Sequence, residues 1–419
     1  MENLFKKYFK GDTTIWLVFA ILCVFSIIEL YSASSTLAFK ASNHSAPMLQ
    51  HVSFLIAGAV LAYLVHFVPY KYIRILAYPG LILSFILLIY VQFKGQSAND
   101  AARWIRIFGF QFQPSELAKL SLVIVIADFI SRIRAYPKEE NKYFYWLIGS
   151  TIAICGLILV ENFSTAAILG TVVYFMMFIG QVSWKKLVII LGVAVGSLLM
   201  GYVVVKAIPQ NKMPKIFDRA YTWVNRFDRK SAENSKDKYV ITDENLQVQH
   251  GRIAVARGGF VGVFPGNSVE RDFLPHAFDD FIFAIILEEM GLFGGIFVMF
   301  LYLVLLFRTG QIATVCKHTF AAMLVTGLGL IITLQATVNM IVGSGFGLVT
   351  GQPLPMISRG GTSILITSIY FGIILGVIRQ IKAENEKQNS SPKSSSDEIP
   401  VINVEEINLV CSLQNYYLM

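Results

Sequence analysis

The sequence predicts an all-α polytopic membrane protein, with about ten transmembrane helices and a long extracytoplasmic loop between helices 7 and 8. Two observations come from composition: 55% of the 419 residues are hydrophobic and only 15% are charged. A soluble chain of this size needs more charge to cover its surface. The third observation is residue order, because the apolar residues fall into runs of about 20, the length that crosses a bilayer as a helix.

Ten apolar runs follow one another along the chain, and each is interpreted as one membrane span. The first run resembles a signal peptide in the lysines that precede it. Its length and the spans that follow favour a membrane anchor instead. The ten spans lie near residues 14–34, 50–68, 75–93, 113–131, 144–160, 164–181, 187–207, 278–307, 319–344 and 360–379.

Lysine and arginine are distributed unequally between the two sets of short loops, and this asymmetry predicts the orientation. The formal net charge of +8 does not indicate nucleic-acid binding, because these residues cluster at the ends of apolar runs. The side rich in Lys and Arg is predicted to be cytoplasmic, so both termini of this multi-pass protein lie inside. That side carries Lys6, Lys7, Lys10, Lys71, Arg74, Arg132, Arg134, Lys138, Lys142, Lys185, Lys186, Arg308, Lys317, Arg379 and Lys382. The short loops of the other side carry only Lys40, Lys94, Arg103, Arg106 and Arg359.

Three regions are expected along the chain. Residues 1–13 form a cytoplasmic N-terminus, 14–382 form the membrane core, and 383–419 form a disordered cytoplasmic tail rich in Ser, Glu and Lys. The four cysteines are scattered, which predicts neither a disulfide framework nor a metal site.

The predicted outer face has three unusual segments. The loop 94–113 leads into Pro114, which suits the first turn of a helix. The loop 208–277 is by far the longest, with an amphipathic stretch at 216–224 and helical character at 247–256; long loops of this kind are usually functional. The segment 350–363 combines Gly, Pro and Ser at membrane depth, where non-helical backbone is tolerated only if protein buries it or it lines a polar cavity.

Charged residues in or beside the spans are candidates for a functional pathway or site. Glu116 and Lys119 are i,i+3 neighbours, so they form either a structural ion pair or part of a site. Asp128 and Arg132 are expected to pair at the membrane interface, and Glu29 is expected to be solvated near an outer helix end. The candidates are Glu29, Glu116, Lys119, Asp128, Lys206, Asp279, Asp280, Glu288 and Glu289.

Asp279 and Asp280 lie where the long outer loop enters the eighth span. Taken alone, an acid there is most simply a helix cap, favoured by the helix dipole. The pair also shares its membrane face with Arg103, Arg106 and the outer end of the helix of Lys119. A carboxylate facing cations across such a cleft suits a general base beside an anionic leaving group.

Five motifs, in this order, make the sequence resemble the shape, elongation, division and sporulation (SEDS) family, the FtsW/RodA type of lipid-linked peptidoglycan polymerases. The resemblance covers about residues 14–380, and the Gly-Asn-Ser segment is more similar to the FtsW branch than to RodA. The motifs are Ala102-Arg103-Trp104-Ile105, Gln113-Pro114-Ser115-Glu116-Leu117-Ala118-Lys119, Gly258 to Gly262 with Pro265-Gly266-Asn267-Ser268, Leu274-Pro275 through Asp280-Phe281-Ile282-Phe283-Ala284, and Thr350 to Pro355 with Ser358, Gly360 and Gly361.

The resemblance implies a glycosyltransferase of the bacterial cytoplasmic membrane that polymerises lipid II into β-1,4 glycan strands at the outer face, for septal wall synthesis in division. The family's essential acid falls on Asp280, and Asp279 is secondary. Arg103, Glu116, Lys119 and Ser358 are the implied substrate-binding residues, with Arg103 and Lys119 as candidates to hold the diphosphate.

The same resemblance implies the partners of the reaction. These are undecaprenyl-linked lipid II, a class B penicillin-binding transpeptidase and other division proteins, with no nucleic acid. The sequence contains no dedicated metal-ligand cluster; a divalent cation such as Mg²⁺ or Mn²⁺ is an alternative means of holding the diphosphate.

The chain departs from the family pattern at three places. Residues 161–166 read Glu-Asn-Phe-Ser-Thr-Ala where the family has Gln-Pro-Asp-Leu-Gly-Thr-Ala, Leu348 replaces a frequent Pro, and Arg359 replaces the usual Tyr. These differences weaken any transfer of roles to residues 161–165 and to the geometry near 348. They leave Asp280 unaffected.

Two other functions fit part of the pattern. A lipid II flippase or other transporter would also have many spans, intramembrane charges and broken segments. It would need polar groups through the whole bilayer, whereas these motifs concentrate on one face. A non-catalytic division scaffold would explain the tail but not the outer acid.

Overall fold

A computed structural model of the chain contains helices at all ten predicted span positions. One compact unit comprises residues 1–380, and residues 381–419 form a second unit; the three predicted regions with their boundaries at 13 and 382 stay a prediction. The structure describes residues 11–40, 46–94, 96–98, 101–107, 110–207, 221, 223–224, 245–274, 277–347 and 349–390.

The helices are numbered in chain order. The first seven are α1 (Thr13–Lys40), α2 (Ala46–Val65), α3 (Tyr70–Lys94), α4 (Pro114–Ala135), α5 (Glu140–Glu161), α6 (Phe163–Ile179) and α7 (Trp184–Ala207). The remaining five are α8 (Leu246–Gly258), α9 (Glu270–Phe273), α10 (Ile282–Val315), α11 (Thr319–Gly343) and α12 (Gly361–Ser390). A 3₁₀ turn at Pro137–Glu139 joins α4 to α5.

Eight described helices are long and apolar enough to cross a membrane. The two other predicted spans are α4, which has five charged residues along its 22, and α6, which is apolar but only 17 residues long. The break between α5 and α6 falls at Asn162, whose side chain accepts from the backbone N–H groups of Ser164 and Thr165 and so caps α6. The predicted separation of spans five and six is confirmed.

The helices differ in how much of their surface the protein covers. Helices α4, α11 and α12 are mostly buried, whereas α7 is exposed along nearly its whole length. Helix α11 packs against α4, α6 and α10. The centre of the membrane unit is therefore built around α11. The turn that leads into α10 and the loop that joins α11 to α12 meet there.

At the predicted cytoplasmic end, Asp128 pairs with Arg132 as expected, with Nε 2.9 Å from Oδ2. The carboxylate also accepts from Tyr78 and pairs with Arg74. Asp128 is fully buried, so this cluster ties α3 to α4.

The loop before α4 contains a small antiparallel sheet that the all-α prediction did not include. It is ordered β1 (Gln96–Ala98), β2 (Ala101–Ile107) and β3 (Phe110–Phe112). Ile105 pairs with Phe112 and Ile107 with Phe110. Apolar and polar residues alternate at Phe110-Gln111-Phe112, the period of a half-buried strand, although the stretch is too short to be distinctive in sequence.

Part of the long loop is described. Helix α8 confirms the helical character expected at 247–256. The amphipathic stretch 216–224 lies largely outside the described residues. Within it the ring of Trp223 lies 4.8 Å from that of Phe163 at the start of α6.

Helix α10 is interrupted at Gly291, where φ is +64°. The residues around the break pair with the backbone that follows α8. Val263 and Phe264 donate to the carbonyls of Glu288 and Glu289, and Leu292 and Phe293 donate to those of Gly259 and Phe260. The two backbones therefore lie side by side like paired strands, in contact with each other.

Candidate functional site

The two candidate acids lie in a turn, Ala277–Asp280, that immediately precedes α10. The N-cap position belongs to Phe281, with no side-chain cap hydrogen bond. Neither aspartate thus occupies the N-cap, contrary to the simpler interpretation from the sequence. Both are partly exposed, which a carboxylate that meets a substrate requires.

The backbone of this turn is bound to the segment 349–360, which is non-helical. The predicted non-helical segment 350–363 extended three residues further, but residues 361–363 already belong to α12. The hydroxyl of Ser358 donates to the carbonyl of Asp279 at 2.6 Å and accepts from the backbone N–H of Leu354 at 2.7 Å. The N–H of Arg359 donates to the carbonyl of Phe278 at 2.9 Å. Ser358 thus holds the turn through both functions of its hydroxyl; its contact with a substrate stays a prediction.

Asn339 on α11 binds the turn from the other side. Its Nδ2 donates to the carbonyl of Asp280 at 2.9 Å and to that of Gln352 at 2.7 Å. The residue is fully buried, and Oδ1 has no hydrogen-bond partner among the described residues. The backbone of Asp280 is therefore fixed to the same loop as that of Asp279.

Lys119 and Glu116 form the buried pair that their spacing allows. Lys119 Nζ lies 2.8 Å from Glu116 Oε1 and donates to Gln335 Oε1 at 2.9 Å. The Lys119 side chain is 1% exposed. Gln335 in turn binds the loop 349–360, because its Nε2 donates to the carbonyl of Pro353 at 3.1 Å. Lys119 is thereby linked to the loop that also holds Asp280.

The same loop is fastened to α6. Gln352 Nε2 donates to the hydroxyl of Thr165 at 2.6 Å, in the segment where the chain departs from the family pattern. Thr165 is buried next to the capped start of α6. Despite the departure, this segment keeps a structural contact with the loop.

Arg103 lies in β2, and its side chain lies outside the described part of the structure. The strand packs against α3, α4 and α5. Because the sheet leads directly into Pro114, the backbone of Arg103 lies at the end of the bundle where α4 begins. Arg106, three residues along the same strand, is exposed. Participation of Arg103 in diphosphate binding stays a prediction.

The sequence did not single out Gln335 and Asn339, which organise the site. The two lie one turn apart on α11, so they face the same way. Two amides at i,i+4 in an otherwise apolar span are a signal that points to buried hydrogen bonding.

Among the described residues, no group of three or more His, Cys, Asp and Glu could hold a metal ion.

Chemically, the arrangement offers a partly exposed carboxylate and a buried ammonium group, both linked to one largely buried loop. Buried amides and hydroxyls fix the backbone on both sides of the carboxylate. A carboxylate held in this way can accept a proton from a bound hydroxyl. A buried cation interacts more strongly with an anionic ligand than a cation in water does.

Comparison with known proteins gives one consistent result. A family model for FtsW, RodA and SpoVE, described as cell cycle protein, matches residues 12–383. A relative from Bacillus subtilis (strain 168), named probable peptidoglycan glycosyltransferase FtsW, is 30% identical over 404 residues, covering 94% of this chain and 96% of its own. A relative of the same name from Enterococcus hirae is 31% identical, covering 89% and 94%.

Two solved structures share the fold. One chain, from a peptidoglycan synthase complex described as coordinating polymerization and crosslinking, is 24% identical with a TM-score of 0.69, covering 88% of this chain and 98% of its own. The rod shape determining protein RodA of Thermus thermophilus is 22% identical with a TM-score of 0.59, covering 88% and 97%. At these identities the likeness concerns the fold alone.

Proposed function

The chain belongs to the FtsW, RodA and SpoVE family of cell cycle proteins, and we propose that it is a peptidoglycan glycosyltransferase of the FtsW type that serves septal wall synthesis. The relatives of 30% and 31% identity that carry this name span nearly the whole chain. The observation that carries the assignment of the site is the shared loop. Asn339 and Ser358 join the aspartate turn to residues 349–360, and Gln335 joins Lys119 to the same residues.

In the proposed reaction, the donor is a growing glycan on undecaprenyl diphosphate and the acceptor is lipid II. The Asp280 carboxylate takes the proton of the acceptor 4-hydroxyl while that oxygen attacks the anomeric carbon of the donor. The bond from this carbon to the diphosphate oxygen breaks, and undecaprenyl diphosphate leaves with the electron pair. One displacement turns the α-linked diphosphate into a β-1,4 bond, so configuration inverts without a covalent enzyme intermediate.

A single carboxylate is enough for this chemistry. Glycoside hydrolysis needs two, since a second group must protonate the leaving oxygen. A diphosphate leaves as a stable anion and needs positive charge in place of an acid. Lys119 and Arg103 supply that charge in the proposal, and a divalent cation, when bound, would add to it.

The site is proposed to face the outside of the cytoplasmic membrane, with both termini in the cytoplasm. The support is the unequal distribution of Lys and Arg between the two sets of loops. The proposed partner is a class B penicillin-binding transpeptidase. The related chain from a peptidoglycan synthase complex supports an assembly of this kind.

Polymerisation of purified lipid II by the purified chain, with and without the transpeptidase, tests the proposal. We expect glycan strands in the presence of the partner, detected by gel electrophoresis of labelled product. The same preparation in vesicles reports lipid II movement across the bilayer. If lipid II crosses the bilayer but no glycan strands form under any condition, the chain is a transporter and the proposed polymerase function is wrong.

A further inference from the structure

Glu29 is a buried carboxylate on α1, one turn before Ser32. The residue is 0% exposed, and neither carboxylate oxygen has a hydrogen-bond partner among the described residues. The sequence-based expectation that Glu29 is solvated near a helix end is therefore wrong. A buried carboxylate without a partner is strongly unfavourable, so the site calls for an unseen neutralising group.

A second carboxylate, Glu289 of α10, lies next to Glu29. Helix α1 packs on α10, and Ser32, three residues after Glu29 and on the same face of α1, donates its hydroxyl to Glu289 Oε1. Glu289 acts electrostatically on Glu29. Its side chain is fully buried, and Oε2 has no partner among the described residues. Three carboxylate oxygens are thus left without a described donor.

Neighbouring side chains do not satisfy these oxygens. The Ser32 hydroxyl gives its proton to Glu289 and accepts from the Gly266 N–H and from Arg271 Nη1, each at 3.0 Å. It therefore has no proton left for Glu29. Arg271 Nη1 approaches Glu289 Oε1 at 3.8 Å and bonds more closely to the Ser32 carbonyl, at 2.5 Å.

The charges of this cluster do not cancel. Glu288, the third buried carboxylate, lies 3.7 Å from Arg257 and accepts from the backbone N–H of Val269 at 3.1 Å. Arg257 and Arg271 face the three carboxylates of Glu29, Glu288 and Glu289, and Arg271 Nε also lies 3.6 Å from Asp272 Oδ1. Carboxylates therefore outnumber guanidinium groups in the described cluster, and Glu29 is the one whose two oxygens both lack a described donor.

We propose that one monovalent cation binds between Glu29 and Glu289, held by both oxygens of Glu29 and by Oε2 of Glu289. Carboxylate oxygens are preferred ligands of hard cations, and a single positive charge neutralises Glu29, whose oxygens both lack a described donor. The bound cation joins α1 to α10 two residues before the break at Gly291. This site is separate from the aspartate turn, and the proposal does not depend on the proposed glycosyltransferase activity.

Sodium binding to the full-length wild-type chain in detergent is the first test. We expect one Na⁺ per chain in equilibrium binding with radioactive sodium. At constant pH and ionic strength, Tm should be higher in sodium chloride than in N-methyl-D-glucamine chloride and should rise with Na⁺ concentration, because the folded state alone binds the ion. Glucamine is too large to enter a buried site between two helices.

Glu29→Gln removes the charge and keeps the shape of the side chain. We expect this variant to lose both the bound sodium and the Na⁺-dependent rise in Tm. The matched control is Glu139→Gln, which removes an exposed carboxylate paired with Lys142 at 3.0 Å and should keep both.

Three outcomes would overturn the proposal. If the wild-type protein binds no sodium and its Tm is the same in sodium chloride and in N-methyl-D-glucamine chloride, then a proton rather than a cation neutralises Glu29. Sodium binding that persists in Glu29→Gln lies elsewhere. A rise in Tm with magnesium but none with sodium excludes a monovalent ion. If Glu29→Gln fails to fold, sodium binding and the Na⁺-dependent Tm of the wild-type chain still test the proposal.

Discussion

At the scale of single residues, the polar groups of the site divide into those that hold backbone and those left to act on a ligand. Asn339 donates a hydrogen bond to the carbonyl of Asp280, and Ser358 donates one to the carbonyl of Asp279. Gln335 bridges Lys119 and the loop. The Asp280 side chain is partly exposed, so its backbone is fixed while its carboxylate can reach a substrate. Such preorganisation lowers the cost of reaching a reactive geometry.

Asp280→Asn should abolish polymerisation and leave folding intact. The amide keeps the size of the side chain but cannot accept the proton, and loss of a general base costs about 10²–10⁴-fold in rate. Strand formation from lipid II measures the loss, and Tm checks the fold. Asp279→Asn is the matched control and should lower the rate much less. Long strands made by Asp280→Asn would refute the mechanism.

Lys119→Met should destabilise the protein. It leaves Glu116 charged and buried without its partner, which costs about 3–5 kcal/mol. The double variant Glu116→Gln, Lys119→Met removes both charges and should recover much of that stability. Thermal unfolding of the three proteins measures the effect.

Activity of the double variant then separates the two roles of Lys119. A stable but inactive double variant would support diphosphate binding by the ammonium group. A stable and active one would limit Lys119 to the structural pair with Glu116.

At the scale of elements, α10 matters because it is not one continuous helix. Its first two turns lie between the aspartate turn and the break at Gly291. The backbone on both sides of the break pairs with residues 259–264 after α8. The long loop is thereby attached by backbone hydrogen bonds to the helix that follows Asp280, and at Gly262 and Gly291 the approach leaves no room for a Cβ.

Gly291→Ala should lower Tm. With φ +64° and ψ −167°, Gly291 occupies a backbone region that is essentially restricted to glycine, and a residue with a Cβ would cost about 1–3 kcal/mol there. The added Cβ would lie 2.4 Å from the carbonyl oxygen of Phe260, so the paired backbones must separate. Gly192→Ala on α7 is the control, since a Cβ there meets nothing within 4 Å and alanine favours a helix. Equal Tm values for the two variants would contradict the close pairing.

At the scale of the whole molecule, charge asymmetry predicts the orientation on which the proposed reaction depends. The predicted outer face holds the aspartate turn, the segment 349–360 and β2. The buried cluster around Asp128 lies at the opposite end. The proposed chemistry is therefore confined to one face, as a polymerase that uses substrate on that face requires.

Thiol labelling tests this orientation. In a background without Cys23, Cys155, Cys316 and Cys411, an impermeant reagent added outside intact cells should modify a cysteine at position 235 and miss one at 138. Residue 235 lies outside the described residues, and Lys138 is exposed in the turn between α4 and α5. The reverse labelling would put Asp280 in the cytoplasm.

The sequence by itself determined the helical membrane fold, the positions of the spans and the family. Runs of apolar residues dictate spanning helices whatever their neighbours, since backbone groups in lipid must bond within the segment. The pairs Glu116–Lys119 and Asp128–Arg132 also followed from spacing alone, because both lie on single helices.

Only the tertiary structure decided which distant groups meet. Asn339 and Asp280 are 59 residues apart, and Ser358 and Asp279 are 79 apart, so no periodicity could relate them. Glu29 looked solvated in sequence because the position of α10 against α1 was unknown. Burial and hydrogen-bond partners depend on how helices pack, and packing is a property of the assembled bundle rather than of any segment.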